Sequence, residues 1–92
     1  MATEIFIPKM TDFMEEARIL EWLVAEGDHV DEGQPILEVE TDKAAAEMDA
    51  PASGYLVGIR PGAVAGAVIP VGETIAYVVD EPGDAVEALP PL

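Results

Sequence analysis

Gly27-Asp28-His29-Val30-Asp31-Glu32-Gly33-Gln34-Pro35-Ile36-Leu37-Glu38-Val39 and Gly66-Ala67-Val68-Ile69-Pro70-Val71-Gly72-Glu73-Thr74-Ile75-Ala76-Tyr77-Val78 are two versions of one pattern, 39 residues apart. Gly27 maps to Gly66, Val30 to Ile69, Gly33 to Gly72, Ile36 to Ile75 and Val39 to Val78, and the register reaches back to Leu20 and Ile59. Apolar matches alone carry little weight in a chain that is 50% hydrophobic. The paired glycines, six residues apart in both copies, carry the repeat. Each copy has an apolar face that it cannot bury alone, so two copies must stack. The repeat therefore predicts a flattened barrel or sandwich with approximate two-fold symmetry. Its glycines are expected in tight turns at positive φ, where alanine costs about 1 kcal/mol or more.

Outward from this pattern, the chain reads as all-β. Short apolar runs alternate with Gly, Pro and Asp. Strands are expected around Ile5 and Ile7, over Ala17 to Val24, Pro35 to Thr41 and Ala44 to Asp49, and over Tyr55 to Ile59, Ala67 to Pro70 and Thr74 to Asp80. In the third, Leu37, Val39 and Thr41 share one face, and Glu38, Glu40 and Asp42 share the other. Ala44-Ala45-Ala46-Glu47-Met48 has helical propensity. Pro51 and Gly54 follow too soon for a helix of normal length, and the flanking period is two. The folded body is expected over residues 1–80. Residues 81–92, rich in Pro, Ala and acid without periodicity, read as a semi-stiff, linker-like tail.

Composition narrows the function. Ninety-two residues make one small domain, burying roughly 60–65% of the unfolded chain's surface. Nineteen acids against four cations give a net charge of −15, which argues against nucleic acid and anionic membranes and favours basic protein surfaces. There is no cysteine, so disulfides and thiolate metal sites are excluded. His29 stands alone and is read as an exposed turn residue, so a zinc site is not expected; the acidic runs lack EF-hand spacing. Trp22 and Tyr55 are read as packing residues, and Met10 and Met14 as packing beside the first loop. No signal peptide or bilayer-spanning run is apparent, so cytoplasm, or an organelle matrix after removal of a targeting segment, is the expected setting.

One of only two lysines sits in Glu38-Val39-Glu40-Thr41-Asp42-Lys43-Ala44. The repeat places Lys43 just after the third strand of the first copy, at a hairpin tip. Its equivalent in the second copy is Pro82, just past the last strand. A tip lysine is accessible and fixed in place, as a modifying enzyme and a carried group both require. The plain alternative is a solubilising surface cation.

Together with Ile7-Pro8-Lys9-Met10, Phe13-Met14-Glu15-Glu16, Ile19 to Val24 and Glu26-Gly27-Asp28, this run resembles the lipoyl domains of acyltransferase components in 2-oxo acid dehydrogenase complexes, over about residues 3–80. The resemblance implies a barrel-sandwich hybrid of two four-stranded antiparallel sheets. It implies that Lys43 accepts lipoate through an amide bond, with Asp42 and Ala44 as flanking recognition residues and Glu40 and Thr41 completing the motif. Ala50-Pro51 and Gly54 match the family's exit from this hairpin. The implied partners are a lipoate-attaching enzyme, a thiamine-diphosphate-dependent decarboxylase, an acyltransferase domain and a flavin-dependent dihydrolipoyl dehydrogenase. The domain itself is expected to be monomeric and non-catalytic.

The loop from Met10 to Ala17 departs from the family in lacking two glycines, which leaves open whether the parent complex acts on a 2-oxo acid or acetoin. Ala44-Ala45-Ala46 is smaller than the family's usual β-branched residues. Asp42-Lys43 is also not a favoured two-residue hairpin turn. A biotinyl carrier of the same fold is the nearest alternative, but there the lysine sits between methionines. A glycine-cleavage carrier would be longer. An unmodified acidic interaction module is the alternative from another class.

Overall fold

A computed structural model describes residues 2–9, 14–41, 44–84, 86 and 88–91. Asp42, Lys43 and the loop residues 10–13, Met10 among them, lie outside the described residues.

Eight strands form two four-stranded sheets, and no helix occurs among the described residues. The strands are β1 (Ala2–Phe6), β2 (Glu16–Trp22), β3 (His29–Val30), β4 (Pro35–Glu40), β5 (Ala45–Asp49), β6 (Gly54–Val57), β7 (Val68–Pro70) and β8 (Thr74–Val79). One sheet runs β1-β8-β6-β3 and the other β5-β4-β2-β7, with every pairing antiparallel. The two orders are the same order shifted by half the molecule: β4 corresponds to β8, β2 to β6 and β3 to β7. β4 and β8 begin 39 residues apart, at Pro35 and Thr74.

The repeat pairs are where the pattern requires them. Val30, Ile69, Ile36, Ile75 and Val39 are fully buried, and Val78 nearly so. With Ile5, Ile7, Ile19, Leu37 and Leu56 they form one core between the sheets. Gly27 and Gly66 share a φ of 92°, and Gly33 and Gly72 have 86° and 88°. All four glycines hold nearly the same positive φ, in the left-handed region, which is why glycine recurs at both places.

One expectation changes. His29 belongs to a short strand rather than a turn, though it is exposed, and its ring meets Tyr55 edge-on at 5.2 Å. With only two residues, β3 is too brief to show a period, but its repeat partner β7 marks it. The Ala44-to-Met48 stretch is a strand as expected, β5, paired with β4 from Glu40↔Ala45 to Pro35↔Asp49. Trp22 is half-buried and its indole N–H donates to the Ala63 carbonyl at 2.8 Å, pinning the 61–67 loop to β2. Met14 is a core residue.

Candidate functional site

The β4–β5 hairpin is held by its own first and last turn residues. Thr41 N–H donates to the Ala44 carbonyl at 2.9 Å. The Thr41 hydroxyl donates to the same oxygen at 2.9 Å, and Ala44 N–H donates to Thr41 Oγ1 at 3.3 Å. One β-branched hydroxyl residue thus bonds both polar groups of Ala44. The β-branch also suits the strand from which the turn leaves. The sequence puts Asp42 and Lys43 between these two residues, and they are not described. Glu40 and Ala44 are exposed and Thr41 is half-buried.

The hairpin stands at one end of the barrel. At that end Glu40 lies opposite Arg18, Arg18 opposite Val68 and Glu16 opposite Pro70. From there Val71 N–H donates to Glu15 O, and Gly72 N–H to Ile7 O, both at 2.9 Å. At the other end Ala2 pairs with Val79, and Gly33 N–H reaches Ala50 O. The start of β1 and the end of β8 are therefore remote from the hairpin.

Three glutamates cross the sheet below the hairpin in adjacent register: Glu21 opposite Glu38, and Glu38 opposite Glu47. Directly opposed like charges are unfavourable. None of these carboxyls is buried. They form a solvated acidic face. Two shallow recesses flank the hairpin. One of about 250 Å³ is lined by Glu16, Ala17, Arg18, Glu40, Thr41 and Val68. The other, of about 290 Å³, is lined by Glu38, Ala45, Ala46 and Glu47.

Arg18 and Val68 were not singled out from the sequence. They come together with Glu40 only through strand pairing, Arg18 with Glu40 across 22 residues (40 − 18) and Arg18 with Val68 across 50 (68 − 18). No group of three metal-ligating side chains occurs among the described residues.

A family model described as "Biotin-requiring enzyme", for biotin and lipoyl attachment, matches residues 3–78. The chain is 43% identical over 81 residues to a dihydrolipoyllysine-residue acetyltransferase component of the mitochondrial pyruvate dehydrogenase complex of Arabidopsis thaliana, covering 88% of this chain and 15% of that protein. It is 40% identical over 82 residues to the acetyltransferase component of the acetoin cleaving system of Pseudomonas putida, covering 89% of this chain and 21% of the other. Among solved structures, the lipoyl domain of the 2-oxoglutarate dehydrogenase complex of Azotobacter vinelandii superposes with a TM-score of 0.68 at 23% identity, over 85% of this chain and 96% of that one, and supports the fold. The chain spans about a fifth or less of the length of the two acetyltransferase components. It belongs to the biotin- and lipoyl-attachment family, as a lipoyl domain.

Proposed function

We propose that Lys43 carries lipoate and that the domain presents it to successive active sites without catalysing a step itself. The observation that carries this reading is the double closure of the hairpin by Thr41. It fixes the residues on either side of Asp42-Lys43 on a rigid strand pair. A carrier needs a firm base on either side of the residue that bears its group.

The fit to lipoate follows from the donor set. Attachment needs one primary amine, and the chain has only Lys9 and Lys43 as lysines. Lys43 Nζ would attack the carbonyl carbon of lipoate activated as its adenylate at the expense of ATP, forming the amide and releasing AMP and the proton of the amine, so the lysine would lose its charge. When bound, lipoate supplies a disulfide ring that accepts an acyl group with reduction and is later reoxidised, chemistry that a chain without cysteine cannot provide. Biotin is the second reading of the same amine. Asp42 and Ala44 beside it, in place of methionines, favour lipoate.

The chain's own residues orient and steer. Thr41 sets the direction of the turn. The acidic face, with Glu38, Glu40 and Glu47 around the hairpin, attracts basic partner surfaces, and that attraction weakens as salt rises. Tethered presentation raises the local concentration of the carried group to about millimolar for a short flexible linker. The proposed partners are a thiamine-diphosphate-dependent decarboxylase, an acyltransferase domain, a flavin-dependent dehydrogenase and the attaching enzyme, in the cytoplasm or an organelle matrix. Within such a complex the domain works as a monomer.

Reductive acylation of the lipoylated protein, tested against decarboxylases for pyruvate, 2-oxoglutarate, branched-chain 2-oxo acids and acetoin, checks the reading. One decarboxylase is expected to acylate it far faster than free lipoamide. Rates no better than free lipoamide with every decarboxylase would contradict presentation by the domain.

A further inference from the structure

In an antiparallel sheet with one face on the core and one in water, burial alternates along each strand. β8 breaks this rule: its last five residues, Ile75 to Val79, are all buried. Tyr77 and Val79 are 8% and 1% exposed, yet neither belongs to the core cluster that takes Ala76 and Val78. Something covers the outer face of this strand.

At Tyr77 the cover is the chain's own C-terminal segment. After β8 the chain turns: Asp84 N–H donates to Glu81 O at 3.0 Å, and Glu81 N–H to Asp84 Oδ2 at 3.3 Å. It then runs back over the sheet. A β-carbon on Gly58 would stand 3.0 Å from Val86 Cγ2 and 3.2 Å from the Tyr77 ring, so all three converge on one spot. Further on, Arg60 Nε–H donates to Pro90 O at 2.7 Å. The same guanidinium donates to Glu73 Oε2 at 2.9 Å and Thr74 O at 3.2 Å. Its side chain is only 11% exposed, against 48% for Glu73. Asp84, Val86 and Leu89 are half-buried.

We infer that the outer face of β8 and the 58–60 segment that follows β6, built from Gly58, Arg60 and Tyr77, is a docking surface for residues 81–84, 86 and 88–91. The docked segment is a strap that carries the chain from one end of the barrel to the other. The direction follows from the registers. β8 ends at Val79 beside Ala2, the end remote from the hairpin. Arg60 N–H donates to Ile75 O, and Thr74 pairs with Phe6, at the end where Gly72, Glu15 and Glu40 lead to the hairpin. Spanning the six residues of β8 is a shift of about 20 Å. Pro90 therefore lies toward the barrel end that holds the β4–β5 hairpin. Arg60 is the positioning residue, since its planar fork bonds a backbone carbonyl of the strap while anchored to Glu73 and Thr74. The functional meaning rests on the reading of that hairpin as the carrier tip: the strap brings Pro90 toward the barrel end at which a partner would meet the tip.

The absence of cysteine allows a single spin label at Pro91→Cys, an exposed position, on the full unmodified chain. The label is expected to broaden the amide signals of Phe6 and Gly72 and to spare Ala2 and Val79. Adding Arg60→Gln should restore the Phe6 and Gly72 intensities to those of the reduced sample. Broadening centred on Ala2 and Val79, or spread evenly over both ends, would overturn the strap. So would a pattern unchanged by Arg60→Gln together with Val86→Ser. No lipoate enters this experiment, so its failure leaves the Lys43 reading standing, and failure at Lys43 leaves the strap standing.

Discussion

β4 and β8 occupy the same place in the two halves of the repeat, but the chain leaves them in different ways. After β4 it turns through Thr41–Ala44 and returns as β5, an edge strand in the same sheet. After β8 it turns through Glu81–Asp84, one residue later than the repeat offset (41 + 39 = 80), and lies on the face of the sheet. The edge position that β5 fills in one sheet is filled in the other by β1, from the opposite end of the chain. The two turns share a device: in each, a side-chain oxygen of one terminal residue accepts from the other's backbone N–H. The lesson is that symmetry fixes two equivalent positions for a turn. The two differ in whether the returning chain is held in the sheet.

The largest effect expected from breaking this comparison is at the first turn. Lys43→Arg keeps the charge but removes the amine that can form the amide. Lipoylation and reductive acylation should fall to background, with the melting temperature nearly unchanged. A large fall in melting temperature would assign the lysine a structural role.

Next comes Gly58→Ala, which strikes the second half. Gly58 has φ +67°, and the added methyl would press on Val86 and Tyr77. A loss of about 1–2 kcal/mol is expected, a fall of roughly 4–15 °C in melting temperature for a domain of this size, with no effect on lipoylation. An unchanged melting temperature would show that the strap does not press on this position.

Thr41→Val preserves the β-branch and removes the hydroxyl. The loss of its bonds to Ala44 is expected to cost about 1 kcal/mol by thermal melting, with a severalfold slower lipoylation rate. Asp84→Ala, the matching change in the second turn, should loosen the strap and leave the lipoylation rate alone. Equal effects of the two on lipoylation would mean that turn geometry does not matter to the attaching enzyme.

The smallest effect is a gain. Glu38→Gln relieves opposed charges with Glu21 and Glu47 and should stabilise the domain by about 0.5 kcal/mol in urea titration at low salt. The gain should fade as salt rises.

Most of the barrel was legible in the sequence because its cause is repeated there. Gly27 with Gly66 and Gly33 with Gly72 mark two pairs of equivalent turns, and the strands beside them alternate at period two. β3 escaped direct reading since two residues hold no period, although Ile69 in the second copy pointed to Val30. The hairpin was legible through Glu40-Thr41-Asp42-Lys43-Ala44. The role of Thr41 as its clasp was not, because hydroxyl-to-backbone bonding depends on turn geometry rather than on residue type alone. Arg18 and Val68 beside the hairpin depend on pairing between distant strands. The packing of Val86 and Pro90 is least visible of all: an irregular segment docked by one methyl and one carbonyl leaves no periodic trace in a Pro- and Ala-rich stretch.

The central claim is that the two lysines are not equivalent. Peptide mapping by mass spectrometry, after incubation with a lipoate-attaching enzyme, lipoate and ATP, tests it most directly. A single lipoyl-sized gain on the peptide containing Lys43, with Lys9 unmodified, is the predicted result. No gain, or a gain on Lys9 with Lys43 untouched, would contradict it.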